Sequence, residues 1–161
     1  MIQKIEINNS INPINLDIHD KMILDILDVE GRISISQLAK KINLSKTPTQ
    51  IRVKRLEKQG IIKGYRAIIN PTCLGINHVA FVEVTLSDTR EKALSMFNDE
   101  VIKISEIEQC HMIAGNFDYL LKVRTEDMNV YRKVLGEKIS ALPYVAHTKT
   151  FVTMESVKER M

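Results

Sequence analysis

From Ser34 to Tyr65 the chain reads SISQLAKKINLSKTPTQIRVKRLEKQGIIKGY, two short segments of helical period separated by a junction that leaves room for one tight turn. A turn that short forces the two helices to cross and share one small core, and this restricts the fold more than anything else in the chain. Ile33, Ile35, Leu38, Ala39 and Ile42 give the first helix its apolar side. Asn43 falls where the backbone must turn left-handed, a conformation Asn tolerates better than most residues. Ser45 stands as N-cap of the next helix and Pro48 in its first turn, where a missing N–H costs nothing. That helix is expected from about Lys46 to Lys58. Thr49, Val53 and Leu56 then face inward, while Lys46, Thr47, Gln50, Ile51, Lys54, Arg55 and Lys58 face outward. Gly60 ends it, and Ile61 and Ile62 begin a short β wing that carries Lys63 and Arg66.

Charge is concentrated on the same stretch. Residues 40–66 hold nine Lys or Arg against the single acid Glu57, whereas the whole chain of 161 residues has a net charge of only +3. A localised cationic stripe on a near-neutral chain is the footprint of a phosphate-binding face, because each Lys or Arg near a phosphate releases condensed counterions. The bland alternative is a solvated helix face with no partner. A winged helix-turn-helix carrying such a stripe points to duplex DNA. A helix of this kind docks with its N-terminal half against base edges, so Lys46, Thr47 and Gln50 are the groove candidates. Arg52, Lys54, Arg55 and Lys63 are the candidates for phosphates or a guanine. Arg52 has a competing structural role, since it neighbours the inward Val53 and could hold an acid such as Asp20 or Asp25.

Leu16 to Glu30 supplies a supporting helix with Asp17 and Asp20 near its start and Ile18, Met22, Ile23, Ile26 and Leu27 on one side. Two short helices cannot bury enough apolar area alone, so such a support is required. Residues 1–15, Asn-rich and with Pro13, read as an extended arm. They lack the layout of a signal peptide, and nowhere does the chain offer the ~18 consecutive apolar residues of a membrane span. The expected organisation is an arm at 1–15, a winged helix-turn-helix at 16–66, a linker strand at 67–76 and a second domain at 77–161.

The second domain reads strand His78 to Leu86, helix Thr89 to Val101, strand Ile104 to Ile113, strand Phe117 to Arg124, helix Glu126 to Ile139 and strand Val145 to Glu155. That order is β-α-β-β-α-β, the ferredoxin-like arrangement, and the chain as a whole is α+β. Ala93, Leu94, Phe97 and Val101 form one helix stripe, and Val130, Tyr131, Val134 and Leu135 the other. Both helices cover one sheet face. The first and last strands read as apolar on both faces, so a second protomer is the expected cover for the other face, and a homodimer the minimum unit.

A family resemblance now spans Leu16 to Lys158. The segments LDIHDKMILDIL, GRISISQLAKKINLS, RVKRLEKQGIIKGYRA, IINPTCLG, EQCHMIAGNFDYLLKV and LPYV followed by TFVTMESVK resemble the Lrp/AsnC (feast/famine) group of transcriptional regulators. The resemblance implies a winged helix-turn-helix, a connecting strand around Arg66 to Gly75, a C-terminal amino-acid-sensing RAM-type domain, and dimers that assemble further into octamers. It also implies departures: Asn43 where the family usually has Gly, Thr49 where it has a small apolar residue, and Ile51 at an outward position often polar. These fall within or just before the reading helix and bear on the DNA sequence recognised.

Binding a free amino acid requires an acceptor for the ammonium, N–H donors for the carboxylate and an apolar recess for the side chain. Asp118 can meet the first need and the backbone of Gly115, Asn116 and Phe117 the second, with Tyr119 next in the chain. Met112, Met128, Val152 and Thr153 are candidates to line the recess, at positions the resemblance assigns to effector response. On periodicity alone, Met112 and Val152 read as core and Asp118 as a hairpin loop. The effector implied is an amino acid, with leucine the first candidate.

Other chemistry is absent from the pattern. Cys73 and Cys110 are too few for a zinc site and read as reduced thiols of a cytoplasmic, nucleoid-associated protein, and His19, His78, His111 and His147 are scattered. No Gly-rich phosphate loop appears, and no cofactor or enzymatic activity is expected. The rival readings are an effector-independent architectural DNA-binding protein and a regulatory subunit of an amino-acid metabolic enzyme.

Overall fold

The computed structural model describes residues 15–159, so the arm expected at 1–15 lies almost entirely outside them. The chain divides into two compact units between Ile68 and Ile69.

In the first unit, three helices run over Ile18–Val29 (α1), Ile35–Lys41 (α2) and Lys46–Lys58 (α3). Local chemistry sets their starts. Asp17 caps α1 by accepting from the Asp20 N–H at 2.9 Å, and Asp20 returns the bond to the Asp17 N–H. Ser34 and Gln37 repeat the same reciprocal box at α2. Between α2 and α3, Asn43 adopts φ 56°, and the Leu44 N–H reaches back to the Ala39 carbonyl at 3.0 Å. The core is Ile23, Leu38, Ile42, Val53 and Leu56, each worth roughly 1.5–3 kcal/mol of apolar burial before ordering costs are set against it. Ile18, expected to face inward, is exposed at the first helical position.

The expected wing is not a β-ladder: among the described residues, 61–70 form no strand. Instead the Ile61 and Ile62 N–H groups both donate to the Leu56 carbonyl, at 3.0 and 3.2 Å, around Gly60 at φ 70°. That closure spends on the helix end the donors a ladder would have used. The Tyr65 hydroxyl then bonds Glu57 at 2.9 Å and holds the segment against α3. The expected linker strand at 67–76 is corrected likewise. Pro71–Leu74 form a 3-10 turn, capped by Asn70 and ended by Gly75 at φ 75°.

The second unit has β1 (His78–Leu86), α4 (Glu91–Val101), β2 (Ile107–Met112), β3 (Tyr119–Thr125), α5 (Met128–Lys133) and β4 (Val145–Val152). The sheet is antiparallel in the order β2-β3-β1-β4, the ferredoxin-like topology expected. The second helix departs from a regular α-helix after Lys133. Residues Val134–Ile139 form a wider π turn around Gly136, with the Ser140 N–H bonded to the Leu135 carbonyl at 2.8 Å. Both helices bury their apolar stripes on Ala80, Val82, Val84, Leu121 and Val123, with Phe97 stacked on Tyr119 at 4.3 Å between ring centroids.

The outer face is less apolar than the strand patterns suggest. A β-bulge between Thr85 and Leu86 shifts the β4 register, so that Val145 joins the core while His147, Lys149 and Phe151 turn outward opposite Thr85, Glu83 and Phe81. Residue-by-residue alternation cannot detect that slip.

Phe97→Ala removes a fully buried ring from the larger core. It should lower the unfolding free energy of this unit by about 3–5 kcal/mol in urea titrations, while the three-helix unit keeps its own transition.

Candidate nucleic-acid interface and effector site

The inward side of α3 is Thr49, Val53 and Leu56, all buried. A buried hydroxyl needs a partner, and Thr49 Oγ1 finds it in the Ser45 carbonyl at 2.9 Å. Ser45 occupies the N-cap position with extended backbone, but its side chain makes no capping bond, contrary to the expectation for it. The outward residues Lys46, Thr47, Gln50, Ile51, Lys54, Arg55 and Lys58 are all exposed, as is Lys63 beyond the helix. Glu57, the lone acid of α3, accepts from Tyr65. The open face of α3 therefore carries cations at both ends, Lys46 at the start and Lys54, Arg55 and Lys58 toward the end, with the uncharged Thr47, Gln50 and Ile51 between them.

Arg52 takes its structural role. Its Nη1 lies 2.6 Å from Asp17 Oδ2 and 2.8 Å from Asp20 Oδ1, and Arg55 Nη2 bonds the other Asp20 oxygen. Asp20 is only 1% exposed and would be costly to bury unpaired. The two guanidiniums make α1 and α3 one clamped pair. Of the two acids considered for Arg52, the structure uses Asp20 and adds Asp17. Arg52 is thus removed from the row of free cations, and Arg55 is shared between the clamp and solvent.

The Asp20 N–H and the Arg52 guanidinium hold the Asp17 carboxyl below the usual carboxylate range, and the Arg52 guanidinium is raised in turn by its bonds to Asp17 and Asp20. A depressed acid stabilises the fold above its unfolded pKa, about 4, and loses that contribution as pH falls through its lower folded value.

The effector candidates do not converge within one chain. Met112 pairs with Tyr119 and Tyr119 with Val84, whereas Val152 pairs with Ala80. Met112 and Val152 therefore sit on opposite edge strands, roughly 14 Å apart across the sheet and about 13 Å offset along it. Gly115, Asn116, Phe117 and Asp118 belong with Met112 in the β2–β3 hairpin, while Met128 and Thr153 lie toward the Val152 end. Met112, Met128 and Val152 are exposed rather than core. Tyr119, at 2% exposure, is part of the core and stacked on Phe97. Asp118 Oδ2 accepts from the Leu86 N–H at 2.7 Å, so one carboxylate oxygen already fixes the hairpin against β1.

One polar cluster escaped the reading of the sequence. Lys122, 8% exposed, and Arg124 lie on the outer sheet face, where Glu108 and Glu159 pair with both. Burial alone would raise the Glu108 pKa, but Arg124 and Lys122 outweigh it and hold the group low. The signal was present in YLLKVRT, where the two cations share one strand face at i and i+2. Beside them a recess of about 470 Å³ is lined by Arg124, Val79, Thr153, Met154 and Glu155 among others. Thr153 Oγ1 is buried there with no hydrogen-bond partner among the described residues. On β2, burial pushes the Cys110 thiol up to about 11.

Among the described residues no cluster of three or more His, Cys, Asp or Glu could hold a metal ion, and no helix is long and apolar enough to cross a membrane.

Comparison with known proteins agrees with this division. Residues 16–63 match the model of a winged helix-turn-helix DNA-binding domain, and residues 79–161 that of the Lrp/AsnC ligand binding domain. The chain is 60% identical to the proline dehydrogenase transcriptional activator of Rhizobium radiobacter, over 94% of this chain and 97% of that protein. It is 48% identical to the leucine-responsive regulatory protein of Escherichia coli, over 90% of this chain and 88% of the relative. A transcriptional regulator of Neisseria meningitidis solved with L-methionine superposes with a TM-score of 0.85 at 28% identity, covering 90% of this chain and 94% of the other.

Asp20→Asn should destabilise the three-helix unit by about 1–3 kcal/mol, since the two arginines it leaves reach solvent and are not stranded in the core. Thermal melting checks this, and the variant should lose duplex affinity together with stability. Lys54→Ala should leave melting unchanged and reduce the slope of log Kd against log salt by about one for each protomer bound.

Proposed function

We propose that this chain, which belongs to the Lrp/AsnC family of transcriptional regulators, is an amino-acid-responsive activator that reads operator DNA with α3 and reports effector level through its own assembly. It is a DNA-binding regulator and not an enzyme. The observation that carries the reading is the exposed, acid-poor face of α3 with Lys46, Lys54, Arg55 and Lys58 on it, set on a scaffold clamped by Asp20.

Lys46, Thr47 and Gln50 lie at the end of α3 that enters the major groove, and Lys54, Arg55, Lys58 and Lys63 reach flanking phosphates. The winged helix-turn-helix spans 16–66, a linker 67–76, and the sensing and self-association domain 77–161. A second copy covers the outer sheet face, where Phe81 and Phe151 lie beside the Lys122–Arg124 cluster, and the dimer presents two reading helices to successive grooves. Further assembly into octamers bends the DNA, and the site of action is the cytoplasmic nucleoid.

The two groups of effector candidates, remote within one chain, support a site between copies that takes the Met112 to Asp118 hairpin from one and Met128, Val152 and Thr153 from another. An effector bound there is coupled to assembly by construction, because it sees its full site in one assembly state only. A tenfold population shift needs about 1.4 kcal/mol, within reach of one charge-assisted hydrogen bond.

The likeness to a proline dehydrogenase activator favours a gene of proline breakdown as the target and proline as effector; the likeness to leucine-responsive regulators keeps leucine as the second candidate. Calorimetric titration with each of the twenty amino acids, beside sedimentation of the same samples, decides between them. Heat and a changed assembly with proline or leucine are expected. No heat from any amino acid, with duplex affinity intact, would instead favour the effector-independent architectural protein.

A further inference from the structure

From the placement of one apolar side chain, we infer that Ile51 is a base-reading residue that selects thymine through its 5-methyl group. The inference rests on α3 being the DNA-reading helix and assigns it a chemical preference that a basic surface alone does not give.

Ile51 is 63% exposed, among the most exposed large apolar side chains of its unit. A lone exposed apolar residue needs no explanation on an ordinary surface. Ile51 does not stand on one. With about 100° per residue, the buried positions Thr49, Val53 and Leu56 define one side of α3, and the side directly opposite is Thr47, Ile51, Lys54 and Lys58. Ile51 sits mid-helix on that line, one turn from Thr47 and adjacent to Gln50. Arg52 and Arg55, which could have screened it, are turned aside toward Asp17 and Asp20. When α3 enters a major groove, Ile51 meets base edges and not phosphates.

Base edges in that groove are mostly donors and acceptors, and the thymine methyl is the largest apolar group among them, where cytosine shows only a C5–H. Against a guanine O6 or a cytosine amino group, an isoleucine displaces water and returns no hydrogen bond, leaving a polar group unmet. Against a thymine methyl it buries apolar surface on apolar surface. Ile51 therefore favours thymine by attraction and disfavours G·C by desolvation, two effects of the same sign. The Thr47 methyl, one turn earlier, extends the same apolar strip.

The test isolates that methyl. A duplex is selected from a random pool by the wild-type protein, and each thymine is replaced singly by deoxyuridine, which pairs identically but lacks the methyl. Wild type should lose about fourfold in affinity at one position per half-site, the equivalent of one buried methyl group. Ile51→Ala, fully folded by circular dichroism because the site is exposed, should bind the parent duplex more weakly with an unchanged salt slope. At that same position it should no longer distinguish thymine from uracil, and Ile51→Val should retain part of the difference. Equal sensitivity of wild type and Ile51→Ala at every thymine overturns the inference, as does the absence of any uracil effect in wild type. A protein that binds no duplex at low ionic strength fails at the earlier step, and the DNA-reading assignment of α3 falls with it.

Discussion

The first unit depends on a carboxylate that water scarcely reaches. Asp20 is buried at the start of α1, and its charge is tolerable only because two guanidiniums from α3 and the N-terminal backbone surround it. With six buried apolar residues among those described, this unit has little apolar area to spare, so a directional clamp between its first and third helices does what a larger core would otherwise do. The clamp also determines which cations remain outside. Arg52 is held largely within the fold and Arg55 half so, and the row left to meet a ligand is lysine-rich. Lysines are point charges with mobile stems, suited to phosphates at variable positions, whereas a free arginine fork would have favoured guanine.

The second unit solves a different problem, with large apolar area on one sheet face and a mixed surface on the other. Helices α4 and α5 cover most of the first face, burying a cluster from Ala80 to Leu142. On the second, an aromatic pair, Phe81 and Phe151, lies beside cations matched by Glu108 and Glu159. In the proposed dimer, burial of such a surface would gain from the rings and require the charges to stay matched, which would make association selective for one register. A wholly apolar face, as the strand patterns suggested, would associate more strongly and less selectively.

Most of the architecture was legible because it rests on periodicity and local chemistry. The left-handed Asn43, the inward Thr49, Val53 and Leu56, and the order of strands and helices all follow from rules that act within a few residues. What failed involved competition for the same group. Ile61 and Ile62 look like strand residues, yet their N–H groups were claimed by the Leu56 carbonyl. Asp118 has the charge for an ammonium, and no local pattern shows that one of its two oxygens also accepts from the Leu86 N–H. Tyr119 falls within the expected strand 117–124, and it is the alternation along that strand that turns it into the core and away from the effector hairpin. The bulge at Thr85 and the π turn around Gly136 are single-residue offsets, and a pattern that assumes a constant repeat has no means of placing them.

The same competition shapes what α3 can say to DNA. Lysines along the groove walls provide attraction that is nearly blind to sequence, and it weakens with salt whatever the operator. In the docking proposed above, discrimination would fall to the exposed side chains Lys46, Thr47, Gln50 and Ile51. Gln50 offers a bidentate amide suited to adenine, and Ile51 an apolar contact suited to thymine. Both preferences fall on A·T pairs, and A·T-rich duplexes are also those whose minor grooves narrow and whose helices bend toward a protein. A regulator that bent its operator through several copies, as proposed above, would gain from reading the sequences that bend well, so the composition of this one helix face and the assembly of the second unit would impose the same demand on the DNA.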